Sequence, residues 1–443
     1  MPTPTDDDLV ALTGFAGGIA NRLQEHETPL DALRAAQNVD IMPSGKLKRR
    51  AGYTLVEAGD WHSIWSDEAI GFGIGVKDDD LVQFGPGGAE RVLVAGVGAA
   101  EVSCTLLAGK VYWSNGKQSG MVRVDTIAED QAAYPLGLAW AVEQPAQPPT
   151  LAAYASGALA AGEYQVAVTF TAFDGREGGA GAASVVTLTA GQGVQLTSIP
   201  QPVQPTVTGV NVYISEPDGD VLHLVRTLAV GVTSLIVGVG VRGRQLETQW
   251  LQPMPSGHLI ASGNARVLVA TDRVLRWSDP MRGALTDLAR QYMQFNARID
   301  ALVPVGQGED LAGVYVSAGK RTYFLRGADP ATWQNSIAFP DGAVLGTGIR
   351  VRAGLFGSDY QGFAAFFVST DGAYCLGLPS GQVQPLSEGR YVTSVADSGR
   401  ALVRRAAGLD QIIAVLRGTA TNALAFSDAA SAEVNDYGVS TDS

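Results

Sequence analysis

Three consecutive carboxylates, Asp78-Asp79-Asp80, stand between two apolar runs of the chain. Carboxylate oxygens bind hard cations such as Ca²⁺, but a calcium loop also needs another carboxylate several residues later. The following residues, Leu81-Val82-Gln83-Phe84, supply none. The triplet is therefore typical of a charged hairpin tip. We predict that Asp78, Asp79 and Asp80 line a channel or an interface, and that they do not form a metal site.

The segment Gly238-Val239-Gly240-Val241-Arg242-Gly243 matches the spacing of a dinucleotide-binding fingerprint and follows an apolar strand. That mechanism requires a helix immediately afterwards, because the helix N-terminus holds the pyrophosphate. The residues that follow, Arg244 to Trp250, are few and are closed off by Pro253. We therefore predict no nucleotide site and no cofactor.

Catalytic residues are not indicated by the other reactive side chains. The four histidines, His26, His62, His223 and His258, are not spaced as metal ligands with one another or with cysteine. No Gly-x-Ser-x-Gly nucleophile elbow occurs. Carboxylates near predicted strand ends are usual turn formers, although a glycosidase pair assembles only in space; these are Asp279, Asp300, Asp341 and Asp371. We predict that the protein is not an enzyme.

The composition is that of a folded protein with a weakly charged surface. The chain has 443 residues, 46% of them hydrophobic and 17% charged, and a formal net charge of −13. The acidic balance argues against a DNA-binding surface and favours a conduit that DNA passes without sticking. Cys104 and Cys375 lie in apolar strand patterns, which favours buried free thiols over a disulfide. No signal peptide or membrane span is indicated, so we expect synthesis in the cytoplasm.

Five strand-turn-strand units predict a β-propeller-like scaffold, because small sheets of this kind bury their faces against neighbouring sheets. They span residues 74–84, 106–113, 267–277, 314–325 and 366–376. A weaker unit combines residues 411–416 with 423–426.

A different pattern fills the middle of the chain. Residues 162–170, 185–189, 194–196 and 210–214 alternate between apolar and polar, and Asp218-Gly219 predicts a hairpin turn. Short strands with turns about every ten residues are typical of an immunoglobulin- or fibronectin-like β-sandwich. The predicted fold class is thus mostly β, with a sandwich inserted into a propeller-like scaffold.

The predicted domains follow from these patterns and from the prolines of residues 143–150, which predict a stiff linker. Residues 1–55 are a lead-in and docking segment, 56–149 the first part of the propeller, 150–253 the sandwich, 254–426 the second part and 427–443 a polar tail. Within the lead-in, residues 28–34 predict a short helix and 38–41 a strand. The basic run 46–50 is either a contact for nucleic acid or an acidic partner or, as we favour, a charged edge strand.

Several segments resemble the tail nozzle (tail tubular, or hub) proteins of short-tailed bacteriophages. They are Gly17–Leu23, Ala35–Asp40, Ser44–Tyr53, Trp277–Arg282, Lys320–Gly327 and Asp371–Pro379. This resemblance implies a virion tail protein that forms a six-membered ring below the portal and adaptor, with genome DNA passing through its centre. It also implies tail adaptor and tail fibre or spike proteins as partners, and no catalytic residue.

The alternative function is a carbohydrate-binding or glycan-cleaving propeller that recognises a host receptor. Such a protein stacks sugars on exposed tryptophans, and the candidates are Trp61, Trp65, Trp113 and Trp333, for each of which core packing is the competing interpretation. We favour the conduit, in which acidic loops such as Asp78-Asp79-Asp80 face the DNA.

Overall fold

The computed structural model describes residues 14–36, 39–42, 44–49, 55, 57–85, 90–123, 137–240, 243–307, 310–356, 361–387, 389–393, 396–406, 409–418 and 433–438. Two compact units divide the chain, one formed by Met1–Ala58 with Phe295–Ser443 and the other by Gly59–Gln294. Within the described ranges the helical elements are three short 3₁₀ turns, Glu25–Glu27, Pro330–Thr332 and Ala353–Phe356. No helix found there is long and apolar enough to cross a membrane.

Strands make up the rest of the regular structure. The first twelve are β1 Gly18–Ile19, β2 Ala32–Leu33, β3 Val39–Ile41, β4 Leu47–Arg49, β5 Trp61–Ser66, β6 Gly73–Lys77, β7 Asp80–Phe84, β8 Glu90–Val94, β9 Ser103–Leu107, β10 Lys110–Ser114, β11 Ser119–Arg123 and β12 Gly137–Leu138. The next seven are β13 Thr150–Leu159, β14 Gly162–Ala172, β15 Ser184–Leu188, β16 Gln192–Thr197, β17 Val207–Ser215, β18 Leu222–Ala229 and β19 Leu235–Val237.

The remaining strands follow the sandwich region. They are β20 Gln252–Pro253, β21 Leu259–Gly263, β22 Arg266–Thr271, β23 Val274–Trp277, β24 Leu285–Thr286, β25 Tyr292–Gln294, β26 Ile299–Gln307, β27 Asp310–Ala318, β28 Arg321–Arg326, β29 Gln334–Phe339, β30 Ile349–Arg352, β31 Phe363–Val368, β32 Tyr374–Gly377, β33 Val383–Pro385, β34 Ser398–Ala406, β35 Leu409–Arg417 and β36 Glu433–Gly438.

All five predicted strand-turn-strand units are confirmed as antiparallel hairpins. They are β6–β7, β9–β10, β22–β23, β27–β28 and β31–β32. In unit Gly59–Gln294 they belong to three four-stranded antiparallel sheets of the kind that forms a propeller blade, ordered β5-β6-β7-β8, β9-β10-β11-β12 and β21-β22-β23-β25. The fold class is therefore mostly β and propeller-like, as predicted.

The inserted sandwich is also confirmed. A three-stranded sheet, ordered β13-β16-β19, faces a four-stranded sheet, ordered β15-β14-β17-β18. Their inner faces share one apolar core that includes Val166, Phe170, Leu196 and Val212. Each fully buried side chain of this size contributes about 1.5–3 kcal/mol, so the core is the main source of the sandwich's stability.

Strands on the two sides of the sandwich in the sequence are neighbours in space. In β9, the Ser103 Oγ accepts from the Ile260 backbone N of β21 at 3.0 Å. Two residues further along each strand, a second hydrogen bond joins β9 to β21, since Thr105 Oγ1 donates to Ser262 Oγ at 2.9 Å. The sandwich is thus an insertion between two adjacent blade-like sheets, whose shared core includes Met121.

The unit formed by Met1–Ala58 and Phe295–Ser443 contains an eight-stranded sheet built from two such meanders. One runs β26-β27-β28-β29 and the other β30-β31-β32-β33, and Gly306 of β26 pairs with Phe363 of β31. A further sheet is ordered β34-β35-β36. Its Ala414 and Leu416 pack with Phe366 in one apolar cluster.

One expectation near the N-terminal end differs from the structure. The helix predicted over 28–34 is wrong, because Ala32–Leu33 pairs in parallel with Gly18–Ile19 and the Ala32 N donates to the Pro29 carbonyl in a turn. A segment this short gains too few helical bonds to offset nucleation. In the polar tail, Glu433–Gly438 pairs with β35. The predicted partner segment 423–426 lies outside the described residues, and the predicted domain boundaries stay predictions.

Candidate functional site

The structure places Asp78 and Asp79 at the exposed tip of the β6–β7 hairpin, with Asp80 half-buried at the start of β7. Asp78 and Asp79 have φ values of 49° and 72°, which match a two-residue hairpin turn that aspartate tolerates. Asp78 Oδ1 accepts from the Asp60 N at 3.0 Å and Asp80 Oδ1 from the Gly96 N at 2.8 Å. Two of the three carboxylates therefore fix neighbouring backbone segments, and their role at a channel stays a prediction.

Asp341 and Asp279, two of the other predicted carboxylates, also serve turns. Asp341 accepts from Thr370 Oγ1 at 2.5 Å and from the Asp371 backbone N at 2.8 Å. It thereby closes the β31–β32 turn, where Gly372 has a φ of +86° and where a Cβ would lie 2.6 Å from the Thr393 carbonyl oxygen. Asp279 lies 3.7 Å from the Arg282 guanidinium in a turn after β23. Asp300 belongs to strand β26.

The histidines do not converge on a metal centre. In the described ranges no three His, Cys, Asp or Glu side chains are grouped as metal ligands are. His62 Nδ1 lies 2.9 Å from Ser63 Oγ, and His223 Nδ1 lies 3.2 Å from the Gly243 carbonyl oxygen.

Both cysteines are buried free thiols, as predicted. Burial raises the pKa of Cys104 to about 12, because an apolar environment disfavours the thiolate. We expect neither thiol of the native protein to react with an aromatic disulfide reagent at pH 8 within an hour. The reagent's absorbance change measures this, and the denatured chain, in which both thiols react, is the control. Rapid reaction of the folded protein would contradict the assigned burial.

The glycine-rich segment after β19 does not lead into a helix. The Gly238 carbonyl accepts from the Ala158 N at 2.6 Å, and the Leu224 N donates to the Arg244 carbonyl at 2.9 Å. Gln245 forms a β-bridge with His223. The extended run beside β18 lacks the helix N-terminus that would hold a pyrophosphate.

Two of the four tryptophans proposed for sugar stacking lie in the core. Trp113 and Trp333 are buried, so their ring faces are not available to a glycan. Trp61 and Trp65 are partly buried, and the Trp61 ring packs edge-on against Phe84 with centroids 5.4 Å apart. Trp250, which is not among the four, is exposed.

A buried carboxylate forms the densest polar constellation in the sandwich. Glu177, whose side chain is 8% exposed, accepts hydrogen bonds from Asn211 Nδ2 at 2.8 Å and from Tyr213 Oη at 2.7 Å. Thr169 Oγ1 donates to the same oxygen. The second oxygen pairs with Arg244 Nη2 at 2.7 Å. This glutamate cluster joins β14, β17 and the two loops that carry Glu177 and Arg244.

The environment holds Glu177 ionised. Burial raises the pKa of the carboxyl, but the hydrogen bonds from Thr169, Tyr213, Asn211 and Arg244 together lower it below its ordinary value of 4.5. Burial and the neighbouring carboxylate raise the pKa of the Tyr213 phenol. Three donors converge on one carboxylate oxygen and the Arg244 guanidinium binds the other, so the carboxylate is engaged by the protein's own strands and loops, an arrangement suited to holding them together.

The glutamate cluster is not predicted by any motif, although the sequence contains a trace of it. Thr169 pairs with Asn211 across β14 and β17, so that two polar residues stand in register on one face of a central strand pair. Paired buried polar residues demand hydrogen-bond partners. The partner itself, Glu177, lies in a loop and has no periodic pattern.

A second buried ion pair joins the sandwich to the sheet before it. Arg176 Nε donates to Asp174 Oδ2 at 2.7 Å, and its Nη1 donates to the carbonyls of Ala139 and Trp140 at 3.1 and 3.2 Å. The Arg176 and Asp174 side chains are 14% and 5% exposed. Because residues 139 and 140 directly follow β12, this arginine anchor ties the sandwich loop to the end of a blade-like sheet.

The predicted linker is fixed at the same place. Glu143 Oε1 accepts from the backbone N of Val203 and of Gln204, both at 2.6 Å. The Gln204 side chain in turn accepts from the Glu143 N at 3.0 Å. Reciprocal polar contacts, as well as the chain connection, therefore hold the sandwich to its base, the segment that follows β12.

Comparisons with known proteins give no family for this chain. No protein-family model matches it, and no curated protein matches it. A solved protein from Lactobacillus plantarum has a TM-score of 0.32 and 13% identity, over 80% of this chain and 90% of that one. BBS1N in complex with ARL6DN has a TM-score of 0.31 and 13% identity, over 82% and 90%. Citrobacter koseri AztD has a TM-score of 0.27 and 10% identity, over 75% and 87%. Similarity at this level carries no argument, and the fold assignment depends on the sheets described above.

Proposed function

We propose that this protein is a structural subunit of a bacteriophage tail nozzle, which assembles into a ring and conducts genome DNA below the portal and adaptor. The observation that carries the proposal is the structural role of two of the segments that resemble nozzle proteins. In the two segments described below, polar side chains bond to the protein's own backbone.

The segment Gly17–Leu23 clasps a part of the chain that is distant in sequence. The Asn21 amide donates to the Val392 carbonyl at 2.9 Å, and its oxygen accepts from the Val392 N at 3.1 Å. The Asn21 N also donates to the Arg390 carbonyl at 2.8 Å. Ala20 is buried beside this clasp. An amide that satisfies both backbone groups of one residue is a structural device.

The segment Trp277–Arg282 forms a corner at the end of β23. Ser278 Oγ accepts from the Val267 N at 2.9 Å, and the Ser278 N donates to the Val267 carbonyl at the same distance. Thr286 Oγ1 donates to the Trp277 carbonyl at 2.8 Å. Serine and threonine hydroxyls are thus consumed in bonds that turn the chain, which suits a scaffold.

The charge distribution also supports a conduit. In residues 56–149, acidic side chains outnumber basic ones by more than twofold. Asp78 and Asp79 are exposed at a hairpin tip of this region. Negative loops facing a bore repel the phosphate backbone, so DNA passes without the counterion release that drives binding.

Sedimentation velocity over a range of concentrations, combined with electron microscopy, tests the proposal. We expect a closed ring of about six subunits at high protein concentration, since heterologous contacts that close give rings. We also expect no stable retention of duplex DNA at physiological salt in a gel-shift assay.

Two results would contradict the nozzle. One is a trimer or a persistent monomer that binds or cleaves cell-surface polysaccharide on a glycan array or in a hydrolysis assay, which would favour the receptor-recognition alternative. The other is tight, salt-sensitive DNA binding, because a conduit that holds its cargo would block ejection.

A further inference from the structure

Three stretches of the sandwich sequence contain no charged residue. No Asp, Glu, Lys or Arg occurs between Glu143 and Glu163, between Glu177 and Glu216, or between Arg226 and Arg242. All of β13, β16 and β19 falls within these intervals. Strands β13, β16 and β19 and the loops 198–206 and 230–234 therefore contribute no charged side chain of their own, in a chain whose net charge is −13, although the Glu143 carboxylate reaches the first of these loops through the N of Val203 and of Gln204.

The two sides of this sheet are used differently. Leu196 is buried in the sandwich core, and Leu151 and Leu235 pack against that core as its register partners. Because side chains alternate along a strand, the neighbouring row of paired residues across the three strands has side chains that point away from the core. That row consists of Ala152, Gln195 and Ile236, and Ile236 is 48% exposed.

Exposed valines extend this surface at one end. Val203, which is 88% exposed, lies in the loop between β16 and β17, and Val230 and Val232 are exposed in the loop between β18 and β19. The Gln201 side chain joins the two loops, since its Nε2 donates to the Val232 carbonyl at 3.0 Å and its Oε1 accepts from the Gly231 N at 2.6 Å. The valines are thus held in place before any partner arrives. We call β13, β16, β19 and these two loops the neutral face.

We propose that the neutral face binds a second copy of this chain. Interface cores are depleted of charge, because desolvating a charged group costs free energy that an apolar or neutral group does not. Two copies that each carry −13 repel one another over acidic surface, so a contact between them is favoured where at least one copy presents a surface with few charges.

The inference rests on the proposed ring and deepens it. A ring of more than two subunits needs two different surfaces, and the neutral face supplies one of them. The sandwich that presents it is fixed to its base by the arginine anchor and by Glu143, so that a contact made there orients the whole unit Gly59–Gln294.

Placing a charge on the neutral face tests the proposal. The variants are Ile236→Asp and Val230→Asp, at positions where the exposed side chain leaves the core unaltered. In sedimentation velocity we expect each to raise the dissociation constant for self-association at least tenfold relative to wild type, on the order of the cost of burying an unpaired charge. Ile337→Asp is the matched control, because Ile337 is an isoleucine exposed on strand β29, and it should leave self-association unchanged.

Hydrogen exchange gives a readout that does not need a variant. Concentrating the wild-type protein should slow exchange in peptides from β19 and from the loops 198–206 and 230–234, whose solvent-facing side the second copy would cover. Thermal unfolding of the Asp variants within about 2 °C of wild type would show that they remain folded.

The outcomes separate this inference from the proposed function. A wild-type ring that persists in both Asp variants overturns the neutral face as a contact and leaves the nozzle intact. Concentration-dependent dimers that the Asp variants abolish, without rings, support the neutral face and count against the nozzle. A wild-type protein that is monomeric at all concentrations overturns both.

Discussion

Replacing Glu177 with alanine is expected to lower the free energy of unfolding of the sandwich by about 2–6 kcal/mol, the cost of leaving two buried donors unsatisfied. The substitution leaves the hydroxyls of Thr169 and Tyr213 without their acceptor in a buried site. Each unsatisfied buried donor costs about 1–3 kcal/mol. It also removes the carboxylate that neutralises Arg244. Hydrogen exchange of peptides from β14 and β17 measures the loss within the sandwich, where whole-chain denaturation mixes several transitions.

Asp220→Asn is the control for this variant. Asp220 is an exposed acid of the same sandwich, so its neutralisation should change stability by less than about 0.5 kcal/mol. If peptides from β14 and β17 were as well protected from hydrogen exchange in Glu177→Ala as in the control, the glutamate cluster would not stabilise the sheet.

The glutamate cluster should make the stability of the sandwich depend on pH in a defined direction. The folded-state pKa of Glu177 lies below its ordinary value of 4.5, so its contribution is complete above about pH 4.5 and is lost as pH falls through the folded-state pKa. Glu177→Gln, which cannot ionise, should therefore differ most from wild type near neutral pH and least at low pH. A stability difference that grows on acidification would mean that the carboxyl is protonated in the folded protein.

The hairpins were predictable because their determinants are local. In Ile74–Phe84, alternation assigns the strands and three aspartates between them assign the turn. Only a few residue types tolerate the φ values of such a turn, so its position leaves little freedom in register. The same locality explains why the sandwich was predicted from the alternation of residues 162–170 and 210–214.

The polar clusters were not predictable because they form between segments that no period connects. Glu177 meets Arg244 across a sequence separation that spans five strands, and Arg176 reaches carbonyls at 139 and 140. Which carboxylate is buried depends on the path of a loop, and a loop's path depends on packing that sequence periodicity does not encode. Asp78 and Glu177 are both acidic residues in or near turns, yet one is exposed and the other is buried.

The helix predicted over 28–34 failed for a related reason. Pro29 and two leucines fit the first turn of a helix, but they fit a tight turn equally well. Pairing of Ala32–Leu33 with Gly18–Ile19 decided the outcome, and that contact lies outside any local window.

Replacing Arg176 with alanine is expected to destabilise the junction between sandwich and blade by about 3–5 kcal/mol. The change leaves the Asp174 carboxylate, 5% exposed, without its cation, and it leaves the carbonyls of Ala139 and Trp140 without their shared donor. Guanidinium geometry matters here, because one side chain serves three acceptors in different directions. Arg176→Lys should therefore recover only part of the loss. Thermal unfolding and limited proteolysis of residues 143–149 measure the effect, with faster cleavage expected in the alanine variant.

A double substitution separates the contribution of the Asp174–Arg176 ion pair from that of the hydrogen bonds between Arg176 and the carbonyls of residues 139 and 140. Asp174→Ala combined with Arg176→Ala removes both charges, so it should be less destabilising than the sum of the single changes, by about 1–3 kcal/mol. The residual loss then measures what the arginine contributes through the carbonyls of residues 139 and 140. Arg226→Ala, an exposed arginine on β18, should change stability by less than about 0.5 kcal/mol. If Arg176→Ala behaved like Arg226→Ala, the sandwich would be held to its base by Glu143 and apolar packing alone, and a contact made on the neutral face would no longer orient the unit below it.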